Sequence, residues 1–291
     1  MTEQAIKVIE CPRDAWQAFP EVIPAERKAD YLRALIDAGF RHLDAVSFVS
    51  PAAVPQMADS ERVLELLRPA GEVEIIGIVV NRQGAERALG TGAVTTLGFP
   101  YSLSPSFLQR NQRQTPQQSL NALKEILSLA ARTGRGTVVY LSMAFGNPYG
   151  DAWGEEAVMD ACEMLRALGI QEISLADTVG LASPEQIRSL LSSVLAAVHD
   201  VEVGAHLHAS PRQAAEKVRA LYQAGCRRFD MALGGQGGCP FAQDALVGNL
   251  ATENALAELK HLGAELPPLH PLDELLAMGR GLAHSFGAAK I

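Results

Sequence analysis

Short runs of apolar, β-branched residues alternate along the chain with longer segments in which apolar residues recur every three or four positions. The short runs have the length of strands, and the longer segments have the periodicity of amphipathic helices. Several helical segments end in glycine, which readily takes the left-handed conformation that closes a helix. Strands are predicted at residues 6–12, 42–48, 73–80, 94–101, 137–145, 172–178, 201–209 and 227–235.

Strands and helices in strict alternation build parallel sheets, and eight such units close naturally into a barrel. We therefore predict an α/β fold, a (β/α)8 TIM barrel, with a short helical extension at the C-terminus. The rival is a doubly wound open sheet with a dinucleotide site. It is disfavoured because no predicted strand leads through G-x-G-x-x-G into a helix, and the GGQGGCP segment at 234–240 lacks that spacing.

The length of 291 residues is compatible with one barrel domain, although a rule of about 150 residues per domain would suggest two. We assign residues 1–291 to a single catalytic domain. A glycine-rich loop and a helix at about 252–263 follow the eighth predicted strand, and residues 264–291 form a helical appendage.

Charge and cysteine content limit the classes of partner. The formal net charge is −8, from 33 acidic and 25 basic residues without a basic stripe, which argues against nucleic acid or an anionic membrane as a partner. The four cysteines form no C-x-x-C pair, and the N-terminal decapeptide lacks the apolar core of a signal peptide. We expect a cytoplasmic protein, in which an anionic substrate would need a local group of basic residues.

A pair of histidines on the seventh predicted strand is the strongest sign of chemistry. Side chains two positions apart on a strand share a face, so His206 and His208 can bind one metal ion at the mouth of the barrel. Asp14 follows the neighbouring first strand, and Asn249 follows the glycine-rich loop. Two imidazoles, a carboxylate and an amide oxygen suit Mg²⁺ or Mn²⁺ better than a thiolate-rich zinc site. The alternative is a pair of structural histidines.

Other polar residues also lie at the predicted strand ends. The guanidinium of Arg13, beside a cation bound at Asp14, could stabilise negative charge that develops on a carbonyl oxygen, or it could form a structural ion pair. Asp44 and Asp177 are equally suited to orienting backbone amides and to transferring protons. Cys239 lies between glycines and a proline, where a loop thiol can reach a substrate.

These segments together resemble one known family. The strings CPRDAWQ, SFVSPAAVPQMADSERV, FLQRNQRQTPQQSL, ISLADTVGLASP, GAHLHASP and GGCPFAQDALVGNLATEN look like those of 3-hydroxy-3-methylglutaryl-CoA lyases, and the likeness runs from about residue 6 to 263. The resemblance implies a metal-dependent TIM barrel that cleaves a tertiary 3-hydroxyacyl-CoA. The products would be acetyl-CoA and a keto acid, which is acetoacetate when the substrate is 3-hydroxy-3-methylglutaryl-CoA.

The resemblance also implies a role for each matching residue. The cation would be bound by Asp14, His206, His208 and Asn249. The catalytic residues would be Arg13, which stabilises the enolate, His206, which also transfers a proton, Cys239, which helps to protonate the enolate, Asp44 and Asp177. Substrate contacts would come from Arg13, Ser47, Ser174, Glu253 and Arg110, and the coenzyme A phosphates could meet Arg82, Arg110 and Arg113 unless these are plain solvated charges.

Three departures from the family pattern leave the acyl group open. Asp44 stands where the lyases usually carry Glu, the ECPRD opening at 10–14 is one residue shorter than usual, and the segment from Cys239 to Asn249 is one residue longer. Trp16 could reshape the acyl pocket or pack in the core. The alternatives are a metal-dependent aldolase or condensing enzyme that acts on a 2-oxo acid, and a non-catalytic barrel. We expect a homodimer.

Overall fold

The computed structural model describes residues 5–69, 71–237 and 247–287. Eight parallel strands form a closed barrel in chain order, with the eighth strand paired to the first, as the sequence predicts. The strands are β1 (Lys7–Glu10), β2 (His42–Ser47), β3 (Glu74–Ile78), β4 (Thr96–Ser102), β5 (Gly136–Ser142), β6 (Glu172–Asp177), β7 (Glu202–Leu207) and β8 (Arg228–Met231).

Helices surround the barrel and extend it at the C-terminus. They are α1 (Pro12–Gln17), α2 (Ala25–Asp37), α3 (Ser60–Leu67), α4 (Arg82–Gly90), α5 (Pro105–Gln112), α6 (Pro116–Thr133), α7 (Glu155–Ala167), α8 (Pro184–Ala197), α9 (Ala214–Gln223), α10 (Thr252–His261) and α11 (Asp273–Leu282). A turn of π-helix at Ala283–Gly287 follows α11. Across the described ranges, no helix combines the length and the apolar character needed to cross a bilayer.

A repeated local signal starts three of these helices. Ser104, Thr115 and Ser183 each precede a proline, and each hydroxyl accepts a hydrogen bond from a backbone N–H of the first turn. Proline has no N–H to leave unsatisfied there, and its ring presets a helical φ. The sequence therefore sets where α5, α6 and α8 begin, after the loops at the mouth of the barrel.

The two faces of the strands form separate apolar layers. Alternate residues point outward against the helices, in a large cluster that includes Leu43, Ile75 and Leu97. A smaller cluster fills part of the barrel interior, with Ile9, Cys11, Ile76, Ile78, Val138 and Tyr140. At the amino ends of the strands, Lys7 forms ion pairs with Glu74, Glu172 and Glu202, which close the base of the barrel.

The strands are shorter than predicted at several carboxyl ends, and the difference affects the site. Arg13 and Asp14 lie on the short helix α1 rather than at the end of a strand. His208 lies one residue beyond β7, where it forms an isolated antiparallel bridge with Asn249. At these two strands the parallel ladder stops before the predicted end, so that residues predicted on strands lie on α1 and in the segment after β7.

Candidate active site

A cavity of about 510 Å³ opens at the carboxyl ends of the strands. Barrel enzymes place their active sites at this end. Seven of the predicted residues line its wall: Arg13, Asp14, Ser47, Arg110, Arg113, His206 and His208. Cys239 lies outside the described residues, so its assignment stays a prediction.

Asp14, His206 and His208 form a buried cluster whose ligand atoms all lie within 4.8 Å of one another. His206 Nε2 is 3.9 Å from Asp14 Oδ2. Asn249 Nδ2 donates to the same Asp14 oxygen at 2.8 Å, and the amide oxygen of Asn249 is buried with no hydrogen-bond partner among the described residues. Nδ1 of His208 is likewise without a partner in the described ranges. Buried lone pairs of this kind fit a cation that has oxygen and imidazole ligands.

The loop after β8 has to approach this cluster closely. Gly237 has a φ of +98°, and a Cβ at this position would lie 2.7 Å from Asn249 Nδ2 and 2.9 Å from Ala15 Cα. Glycine is therefore required twice over, for its backbone conformation and for the lack of a side chain. The Gln236 carbonyl accepts a hydrogen bond from Asn249 Nδ2 at 2.8 Å, which orients the amide oxygen.

The charges around the cluster favour the ligand forms of its members. Burial alone would raise the pKa of Asp14, but Arg13, the two histidines and the amide of Asn249 lower it to about 2. Burial and the neighbouring His206 lower the pKa of His208 to about 4. At neutral pH, Asp14 is thus a carboxylate, and His208 is a neutral imidazole with a free lone pair.

Arg13 is held rigidly at the cavity wall. Nε donates to Asp44 Oδ1 at 3.0 Å and Nη2 to Asp44 Oδ2, while Nη1 donates to Asp14 at 3.2 Å and to Gln17 at 2.9 Å. These four bonds use four of the five guanidinium N–H groups. Among the contacts of the described residues, one N–H on Nη2 is therefore left for an oxygen in the cavity. Asp44 is fully buried beneath Arg13.

Asp177 faces away from the cavity. Its carboxylate accepts from the backbone N–H groups of Leu181 and Ala182 and from Lys217 Nζ at 2.9 Å. Lys217 is buried and also donates to the carbonyl of His208 at 3.0 Å. The geometry therefore gives Asp177 a positioning role for the loop after β6, and its predicted catalytic role remains untested.

Two more predicted residues support the site from outside the cavity, and Arg110 on the cavity wall contacts an aromatic ring. Ser174 is buried and donates to Asp230 Oδ2 at 2.7 Å, and Glu253 accepts from the backbone N–H of Gly234 at 3.0 Å. Neither of these residues lines the cavity. The guanidinium of Arg110 lies 4.5 Å from the ring centre of Tyr149.

The remaining candidates divide between the rim and the periphery. Arg113 lines the cavity, whereas the exposed Arg82 pairs with Glu86 at 2.8 Å and does not. Trp16 is buried edge-on against Tyr31 at 5.8 Å between ring centres, so it packs in the core rather than on the cavity wall.

Sequence reasoning missed several residues that hold the site together. Gln17 bonds both Arg13 and Asp14, a contact that the helical spacing of i, i+3 and i+4 would have indicated had α1 been predicted. Asp230 and Tyr140 are buried inside the barrel near His206, at 4.0 Å from Nδ1 and 6.0 Å between ring centres respectively. No local motif marks them, since their neighbours come from other strands.

Glu10 is a further buried carboxyl group that sequence reasoning missed. Its side chain accepts from the backbone N–H of Leu233 at 2.7 Å and from the Thr252 hydroxyl at 2.6 Å. It therefore joins the end of β1 to the turn after β8 and to the start of α10. Burial raises the pKa of Glu10 to about 8 despite these two hydrogen bonds.

We expect this carboxyl group to make stability depend on pH. Above its ordinary value of 4.5 the unfolded chain releases the proton while the folded protein retains it, so the free energy of unfolding falls until about pH 8. The slope is at most about 1.4 kcal/mol per pH unit. Glu10→Gln cannot ionise, so its stability relative to wild type should rise steadily over this window. Urea unfolding at a series of pH values measures the difference, and a constant difference would contradict the assignment.

Comparison with known proteins places the chain among lyases. The HMGL-like family matches residues 6–278. The mitochondrial hydroxymethylglutaryl-CoA lyase of Bos taurus is 34% identical over 259 residues, covering 89% of this chain and 79% of the relative. The (R)-citramalyl-CoA lyase of Chloroflexus aurantiacus is 31% identical, covering 98% of this chain and 92% of the relative.

A solved structure agrees in both fold and sequence. The HMG-CoA lyase from Acinetobacter baumannii, in complex with coenzyme A and 3-methylmalate, superimposes with a TM-score of 0.87 at 33% identity. The match covers 96% of this chain and 90% of that one.

Proposed function

The chain belongs to the HMGL-like family of carbon–carbon lyases, and on that premise we propose that it cleaves 3-hydroxy-3-methylglutaryl-CoA, or a closely related 3-hydroxyacyl-CoA, to acetyl-CoA and a keto acid. The observation that carries the proposal is the buried cluster of Asp14, His206 and His208 beside Arg13 in the cavity at the barrel mouth. An acyl-CoA substrate is further supported by the relative that binds coenzyme A.

The reaction needs one proton removed and one delivered. A base takes the proton of the tertiary hydroxyl, the oxygen electrons form the new ketone, and the adjacent C–C bond breaks. The electron pair of that bond passes into the thioester as an enolate, which is then protonated at carbon. His206 lies at the cavity wall, and we propose that it assists the first proton transfer as a ligand of the cation that would acidify the hydroxyl.

Asp14, His206, His208 and Asn249 are the residues that would hold a divalent cation, and we propose Mg²⁺ or Mn²⁺ on the nature of these ligands. When bound, the cation would act as a Lewis acid that lowers the pKa of the substrate hydroxyl. The four side chains reach the site from α1, from the end of β7 and from the segment that precedes α10. The closed barrel is what brings these three segments together.

Arg13 stabilises the enolate in this proposal. Its position is preorganised by Asp44 and Gln17, and one N–H on Nη2 remains for the thioester oxygen as that oxygen gains negative charge. A fixed donor needs little reorganisation during the reaction, so its effect is larger on the transition state than on the bound ester.

Two substrates of similar chemistry are suggested by the relatives. 3-Hydroxy-3-methylglutaryl-CoA and citramalyl-CoA share a methyl group, a tertiary hydroxyl and a free carboxylate, and they differ by one methylene between the carbinol carbon and the carboxylate. A pocket built for one of them should favour it by about 10-fold to 200-fold in kcat/KM. We propose the longer ester as the better substrate.

The two activities are distinguished by their keto acid products, which are acetoacetate from 3-hydroxy-3-methylglutaryl-CoA and pyruvate from citramalyl-CoA. The purified protein is assayed with each ester and with Mg²⁺ or Mn²⁺, acetoacetate and pyruvate are measured by specific dehydrogenases, and acetyl-CoA is measured by mass spectrometry. Loss of the activity in an Arg13→Met preparation would show that the activity belongs to this chain and not to a contaminant. A preference for citramalyl-CoA would change the assigned substrate, and no cleavage of either ester would favour the 2-oxo acid aldolase. The cytoplasmic location and the homodimer remain proposals, to be tested by cell fractionation and light scattering.

A further inference from the structure

One side of the barrel interior contains a buried column of polar side chains, made of Ser174, Arg228 and Asp230. Arg228 is 1% exposed, and the other two are fully buried. Arg228 Nη1 bonds Glu172 and Glu202 at the base of the barrel, and its Nε is 3.4 Å from Asp230 Oδ1. The column therefore runs from the base of the barrel toward the metal-binding cluster.

The neighbouring strand makes room for this column. Gly204 on β7 pairs with Arg228 on β8, and a Cβ at Gly204 would lie 2.6 Å from the Cγ and Cδ atoms of Arg228 and 2.9 Å from its Cβ. A side chain at position 204 would collide with the first carbons of the Arg228 side chain. A rotation of the guanidinium group would not relieve this collision. The Arg228 side chain thus fills the space that is left because Gly204 has no side chain.

At the upper end of the column Asp230 faces His206. The register of β7 and β8 pairs these two residues. His206 Nδ1 is 4.0 Å from Asp230 Oδ2, and His206 Nε2 is 3.9 Å from Asp14 Oδ2 on the opposite side of the ring. Nδ1 is buried and has no hydrogen-bond partner in the described part of the chain. The imidazole thus lies between the carboxylate of Asp14, in the metal-binding cluster, and the carboxylate of Asp230, in the barrel interior.

We propose that Asp230 is a positioning residue, which keeps the proton of His206 on Nδ1 and so leaves the Nε2 lone pair facing the metal-binding cluster. A carboxylate only accepts hydrogen bonds, so it favours an N–H on the ring atom that faces it. Metal-binding histidines commonly have an outer partner that fixes the tautomer in this way. The consequence of this tautomer for the reaction rests on the proposed function. The tautomer itself is a property of the metal-free protein.

Arg228 and Ser174 hold the carboxylate of Asp230 in this orientation. Ser174 Oγ donates to Oδ2 at 2.7 Å, and Arg228 forms its ion pair with the other oxygen, Oδ1. Contacts on both oxygens hold the carboxylate with Oδ2 toward His206. The charge of Arg228 is balanced in turn by Glu172 and Glu202, which are partly exposed.

The tautomer of His206 is measured directly in the metal-free wild-type protein. Nitrogen-15 NMR of labelled histidine side chains, at mildly alkaline pH, distinguishes protonated from unprotonated ring nitrogens, and the loss of signals in His206→Asn assigns them. We expect the proton on Nδ1. A proton on Nε2 would overturn the proposal, and this result does not depend on whether Asp230→Asn folds.

The second test is metal affinity in Asp230→Asn. An asparagine can donate through its amide as well as accept, so it permits the other tautomer. We expect Mn²⁺ binding, measured by calorimetry, to weaken about 10-fold to 100-fold, the usual loss for an outer partner. Asp200→Asn makes the same change at an exposed residue that pairs with Arg166, and it should leave the Mn²⁺ affinity unchanged. Equal affinities of wild type and Asp230→Asn would overturn the proposal.

The two proposals fail in distinguishable ways. If the wild type cleaves an acyl-CoA ester but His206 carries its proton on Nε2, the lyase function stands and the role of Asp230 is wrong. If no ester is cleaved but the Nδ1 proton and the weaker Mn²⁺ binding of Asp230→Asn are both observed, the role of Asp230 stands and the substrate assignment is wrong.

Discussion

Replacing Arg13 with methionine is expected to lower kcat by a factor on the order of 10³ or more, while the affinities for acyl-CoA and for the metal stay close to those of wild type. The guanidinium has one N–H left for the cavity after its four bonds to Asp44, Asp14 and Gln17. That donor meets an oxygen whose negative charge appears mainly in the transition state, so its removal should affect turnover more than binding.

The variant also leaves the carboxylate of Asp44 buried without its cation. An unpaired buried charge is strongly destabilising, so Arg13→Met should be compared with the double variant Arg13→Met/Asp44→Asn, which removes that charge. Arg82→Met is the matched control, since Arg82 is exposed, pairs with Glu86 and does not line the cavity. Steady-state kinetics and calorimetric binding supply the values. Turnover of either Arg13 variant within about tenfold of wild type would exclude a charge-stabilising role for Arg13.

Replacing His208 with alanine is expected to abolish tight binding of a divalent cation and, with it, turnover. His208 is a member of the buried cluster with Asp14 and His206, and its bridge to Asn249 also places a fourth ligand. Losing a direct ligand should weaken Mn²⁺ binding by more than about 100-fold, beyond the loss expected for an outer partner. Calorimetry with Mn²⁺ and elemental analysis of the purified protein measure the change.

Two controls make this result specific to the site. His199→Ala alters an exposed histidine beside the base of the barrel and should leave both metal content and turnover unchanged. Treating the wild type with a chelator should remove the activity, and added Mg²⁺ or Mn²⁺ should restore it. If the wild type takes up no divalent ion, or if His208→Ala binds Mn²⁺ as wild type does, the metal-dependent lyase is excluded.

Much of the candidate site could be read from individual residues. His206 and His208 are two apart on one predicted strand, and this spacing predicts that both rings share a face. The structure has the rings 5.2 Å apart between centres, although β7 ends at Leu207. The sequence predicts Arg13 and Asp14 at the correct end of the barrel, but at the end of a strand instead of on α1. The prediction therefore misses the contacts of Gln17 with Arg13 and Asp14, because these contacts follow the spacing of a helix.

Roles that depend on the surroundings could not be read in this way. Asp44 and Asp177 look alike in the sequence, each a carboxyl group within a buried strand. In the structure Asp44 pairs with Arg13 at the cavity wall, whereas Asp177 binds Lys217 and two backbone amides away from the cavity. The difference depends on residues far away along the chain.

The sequence by itself determined the barrel, since the alternation of short β-branched runs with amphipathic segments is a local property and eight parallel units have few ways to bury their apolar faces. It also determined which ligand types meet at the mouth of the barrel. The tertiary structure alone decided which buried groups touch: Asp230 with His206, Glu10 with Thr252, and Arg228 in the space left by Gly204. Such pairs join distant segments through strand register and the closure of the barrel, which no single stretch of sequence specifies.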